Sequence, residues 1–122
     1  MGWFKSRTSQ TPQQLMPSVI KFVGEQDGPA ERDLKVRFTD LFHGERTILR
    51  AYLARTDYGD ATGVHVALCV KSSVGEDTSL ISKVVDIFRS MFGSHEHLDV
   101  LFVRDDQEPE LRRVCVPFYR AK

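Results

Sequence analysis

The chain has 122 residues, seventeen basic and seventeen acidic side chains and a 41% hydrophobic fraction. A domain of this length buries roughly two-thirds of its unfolded surface, enough for a core that needs no disulfide or metal. The balanced charge argues against a nucleic-acid partner held by a broad basic surface, and no apolar run approaches the ~18 residues needed to cross a bilayer.

Residues 1–17 carry Ser, Thr, Gln and two prolines without a sustained period, the pattern of a flexible N-terminal tail. Trp3-Phe4 stands beside Lys5 and Arg7, too short a stretch for an amphipathic membrane helix. Met1-Gly2-Trp3-Phe4-Lys5-Ser6 also fits the loose pattern for N-myristoylation. An apolar export core is missing from this segment, so the expected location is cytoplasmic. In that compartment Cys69 and Cys115 are expected as unbridged thiols.

Val19-Ile20-Lys21-Phe22-Val23, bounded by Pro17 and Gly24, reads as a first strand. Pro29 suits the first turn of a helix whose apolar face is Leu34, Phe38, Leu41 and Phe42, and Gly44 ends it. Residues 47–56 alternate. Leu49, Ala51 and Leu53 take one face, while Ile48, Arg50, Tyr52 and Ala54 take the other. After the turn residues 57–63, Val64, Val66, Leu68 and Val70 line one face of a partner strand, which makes a hairpin.

Asp77 or Thr78 can cap the next helix. Its stripe, Leu80, Ile81, Val84, Val85, Phe88, Met91 and Phe92, is the strongest periodic signal, and Gly93 stops it. Residues 98–103 form a last clear strand. Beyond Asp105-Asp106-Gln107-Glu108-Pro109, residues 111–116 read as a short helix or an edge strand, and Pro117-Phe118-Tyr119 closes the chain.

This order predicts an α+β domain over residues 18–122. The expected plan is a ferredoxin-like β-α-β-β-α-β sandwich: a mainly antiparallel sheet, two helices on one face and an extra C-terminal element. Val64, Val66, Leu68 and Val70 should meet the helices. The opposite face would carry Arg50, Tyr52, His65, Ala67, Cys69, Leu101 and Val103, too apolar to be fully wetted and too polar for a core. A second subunit, the N-terminal tail, Phe118-Tyr119 or a partner is expected to cover it. Arg50, Tyr52, His65, Cys69, Leu101, Val103, Phe118 and Tyr119 are therefore the candidate interaction surface.

Catalytic and cofactor motifs are missing. The chain has no glycine-rich phosphate loop, no G-x-S-x-G elbow, no Cys-x-x-Cys pair and no aromatic RNA-binding motif. His95 and His97 could share a metal on an extended segment, but a site would need a further ligand that the sequence does not supply, so both read as solvated loop histidines. His43 suits a helix C-terminus, and His65 reads as a half-exposed strand residue. A His65–Cys69 dyad would share a strand face yet lacks an oxyanion hole. The run Asp105, Asp106, Glu108 and Glu110 reads as solvated surface.

Several segments together resemble the C-terminal domain of the bacterial enhanced serine sensitivity protein B family. They are Gly24-Glu25 after the first strand, Ala51-Tyr52-Leu53-Ala54, residues 64–70, Leu98-Asp99-Val100-Leu101-Phe102 and Pro117-Phe118-Tyr119. The resemblance covers about residues 18–119, and it brings no catalytic residues with it. It implies a bacterial accessory domain linked to a serine-sensitivity phenotype, in a family whose members tend to carry another domain upstream. The expected function is a non-enzymatic interaction or accessory domain without cofactor, with a protein partner or self-association. The alternative is a regulatory domain that senses an amino acid or other small molecule at a subunit interface.

Overall fold

The structure is a computed structural model and describes residues 20–59 and 63–122. The tail expected over residues 1–17, its Trp3-Phe4 pair and the Gly2 pattern lie outside those residues. In chain order the elements are β1 (Lys21–Glu25), α1 (Pro29–His43), β2 (Ile48–Asp57), β3 (Val64–Ser72), α2 (Thr78–Phe92), β4 (Asp99–Phe102), α3 (Glu108–Val114) and β5 (Tyr119–Arg120).

Helix α1 forms where the apolar spacing placed it. Leu34, Phe38 and Phe42 recur every four residues and are fully buried, while Val36 on the far side is exposed. Gly28 precedes the helix at φ 156°, and a Cβ there would come within 2.5 Å of a Glu31 carboxylate oxygen. The Glu31 carboxylate could swing aside, so it is the positive φ, which L side chains rarely adopt, that calls for glycine here. At the other end the Phe42 carbonyl accepts from the Glu45 backbone N–H at 2.9 Å, and the Tyr119 hydroxyl adds a second, longer bond to it at 3.3 Å.

Strands β2 and β3 pair antiparallel from Ile48↔Ser72 to Asp57↔Val64, and the pairing slips between Ile48 and Arg50. This bulge changes the face of Ile48. Simple alternation puts Ile48 with Arg50 and Tyr52, but the extra residue, Leu49, turns it into the helix-side core. On β3, Leu68 and Val70 reach that core and Val66 packs at its margin. Val64, at the strand's start, is exposed.

Helix α2 is capped by Asp77, whose Oδ1 accepts from the backbone N–H of Ser79 at 3.0 Å and of Leu80 at 3.3 Å. Leu80, Val84 and Phe88 form its buried row. Gly93 ends it at φ 83°, a left-handed turn that a side chain resists.

Among the described residues the sheet has five strands in a mostly antiparallel arrangement. Strands run in the order β1-β2-β3-β4, and β5 pairs with β2 at Arg50↔Arg120 and Ala51↔Tyr119. The pair β3–β4 is parallel. A split β-α-β unit would place another strand between the two parallel ones. Here they are adjacent, so the ferredoxin-like strand order expected from the element order is not the one these pairings make. The α+β class stands.

Helices α1 and α2 share one core with Ile48, Ala51, Leu53, Leu68, Val70, Leu98 and Val100, so both lie on one face of the sheet. On the other face, Leu111 and Cys115 close a second core over Phe22, Tyr52, Ala54, Ala67, Cys69, Leu101 and Val103. The C-terminal segment is thus a helix rather than an edge strand, and it makes a third layer.

Candidate functional site

The α3 side of the sheet carries two polar networks, one at each end. The first begins in the turn after β4. There the Gln107 side-chain oxygen accepts from the Arg104 backbone N–H at 2.8 Å, and the Glu108 N–H donates to the Arg104 carbonyl at 3.1 Å. Pro109 then sets the first helical turn, and Glu108 points down onto β2.

Arg50 meets the Glu108 carboxylate with two parallel bonds, Nε to Oε2 at 2.5 Å and Nη2 to Oε1 at 2.8 Å. The Tyr52 hydroxyl donates to Oε2 at 2.5 Å. The fork of the guanidinium matches the carboxylate, which makes this a strong, direction-specific pair. Lys71, directly opposite Arg50 on β3, pairs with Asp105 from the same turn.

Electrostatics follow from this geometry. The bonds from Arg50 and then Tyr52 hold the Glu108 carboxyl down at about 2, against an ordinary 4.5. Burial, and next its bond to Glu108, raises the Tyr52 phenol. Neither group is poised to exchange a proton near neutrality. Because the folded pKa is the lower one, Glu108 stabilises the fold above about pH 4.5, and that contribution is lost as pH falls towards 2. We expect acidification through this window to remove up to ~3 kcal/mol from this group, by the linkage between pKa shift and stability. Urea titrations of the wild type and Glu108→Gln at pH 6 and pH 2.5 check it. The variant should be less stable at pH 6 and should lose less on acidification. Equal losses in both proteins would contradict the assignment.

The second network lies at the far end of the same face. Asp99 has a fully buried carboxylate with both oxygens engaged. Its Oδ1 meets His97 Nε2 at 2.6 Å, and its Oδ2 accepts from the Tyr58 hydroxyl at 2.8 Å. The Tyr58 ring stacks on His65, with centroids 5.6 Å apart and planes 17° from parallel. Burial and the neighbouring Asp99 raise the Tyr58 phenol. His97 keeps 19% of its side chain exposed. It is the member of this network that reaches solvent as an oriented imidazole, the arrangement a base or ligand would use.

The structure divides the expected interaction surface. Tyr52, Cys69, Leu101 and Val103 are buried beneath α3, and His65 is buried beside Tyr58, so none of them forms an open patch. Of the eight, Arg50 and Phe118 are partly exposed, and the Arg50 guanidinium is already engaged. Phe118 and Tyr119 pack on the opposite side, against Phe38 and Phe42. They are not brought together with the other six. The physical reason is one element: a seven-residue helix with a single apolar anchor, Leu111, suffices to cover a narrow sheet face.

Two further expectations change. Glu108 is not part of a solvated acidic run, since its side chain is 8% exposed, against 93% for Asp105. His97 is not a free loop histidine. His95 is exposed, and His43 sits exposed at the end of α1 with its ring 5.6 Å from that of Tyr119. Among the described residues, no group of three His, Cys, Asp or Glu side chains could hold a metal ion. Nor is any helix among them long and apolar enough to cross a membrane.

The thiols are free and buried. Burial, with Cys115 next in effect, raises Cys69, and burial pushes Cys115 up to about 12. A thiol kept protonated is a poor nucleophile, so the His65–Cys69 pair has no reactive partner in it. No protein-family model matches the chain, and no curated protein or solved structure matches it either.

Proposed function

We propose that the chain is a non-enzymatic interaction or accessory domain that works in the bacterial cytoplasm, of the kind found at the C-terminus of enhanced serine sensitivity protein B. One observation carries the reading: the buried carboxylates and thiols of the α3 face are spent on holding the fold, and His97, the imidazole that reaches solvent, is itself tied to Asp99. Glu108 is saturated by Arg50 and Tyr52, Asp99 by His97 and Tyr58, and both thiols are buried. Catalysis needs a group whose proton or electron pair is available near working pH. A fold that uses these groups as structural ties is suited to presenting a surface instead.

The outer side of α3 is the surface we assign to a protein partner. Val114, the last residue of α3, and Val116, just beyond the helix, are exposed, as are Arg112 and Arg113. Apolar side chains mixed with arginine are enriched at interface centres.

A thermal-shift panel of the free amino acids separates this reading from that of a small-molecule sensor. The interaction domain should show no saturable rise with any of them. A bound ligand at a hundred times its Kd would add about 2.7 kcal/mol by mass action. A saturable rise of that kind would replace the proposal with the sensor reading.

A further inference from the structure

We draw no further inference here: the strongest candidate, the row of cations Arg120, Arg50 and Lys71 in register across β5, β2 and β3 on the α3 side of the sheet, has two of its three charges taken by Glu108 and Asp105, and nothing in the structure shows what covers the third.

Discussion

Replacing Tyr52 by Glu is expected to unfold the domain. Tyr52 is fully buried between the sheet and α3, and its hydroxyl rests on the Glu108 carboxylate. The substitution deletes the ring and sets a second carboxylate against the first in a site closed to water. Losing a large core side chain costs ~3–5 kcal/mol, and an uncompensated buried charge costs a similar amount again. The sum is comparable with the whole stability of a small domain, about 5–15 kcal/mol. Far-UV circular dichroism at 25 °C should therefore show lost helix. The conservative Tyr52→Phe keeps the packing and loses one hydrogen bond, so it should stay folded at a cost of ~1–3 kcal/mol. If the Glu variant kept wild-type stability, the ring would have to face solvent and α3 could not lie over it.

Phe88→Ala tests the opposite core. Phe88 stands in the buried row of α2, with the Phe92 ring centroid 5.0 Å away, and it shares a cluster with Leu68, Val70 and Val100. Removing the ring leaves a cavity that a helix pinned at both ends cannot collapse. The expected loss is ~3–5 kcal/mol, read as a lower urea midpoint at unchanged slope. A loss below ~1 kcal/mol would mean that α2 turns another side to the sheet.

The helix-side core was legible in the sequence because it rests on short-range periodicity. Leu34, Phe38 and Phe42 on α1, and Leu80, Val84 and Phe88 on α2, are read from spacing alone. The cap was narrowed to Asp77 or Thr78, and it is Asp77 that accepts from the helix N–H groups. Ile48 escaped the same reading because a bulge changes parity without leaving a mark in the local residue types. Strand order was out of reach for a different reason. The same β-α-β-β-α-β succession can be wound in more than one way, and the parallel contact of β3 with β4 is a long-range choice.

The α3 face shows the limit most clearly. Alternation identified which residues share that face, but the cover is α3, which was not among the covers expected from their mixed character. The cover itself depends on Glu108 reaching Arg50, 58 positions away in sequence. No local pattern distinguishes that glutamate from Asp105 and Asp106, which stay in solvent. The His97–Asp99 pair was closer to hand, since residues two apart on an extended segment share a side. The Tyr58 hydroxyl, 41 positions from Asp99, was not.

Amide hydrogen exchange on the wild type and Glu108→Ala tests most directly whether α3 is tied down over the sheet by the Arg50–Glu108–Tyr52 bonds. In the wild type, the N–H of Leu111 bonds to the Gln107 carbonyl at 3.1 Å and that of Cys115 to the Leu111 carbonyl at 3.0 Å, so both should be protected. Removing the carboxylate leaves Arg50 and Tyr52 without their shared acceptor. Local opening of α3 should become easier by about 1.5–3 kcal/mol, the worth of hydrogen bonds to a charged group, or roughly ten- to a hundredfold in exchange. Amides in the middle of α2 should change much less. Wild-type α3 amides that exchange at the rate of an unstructured chain, or a variant whose α3 protection equals the wild type's, would contradict the account.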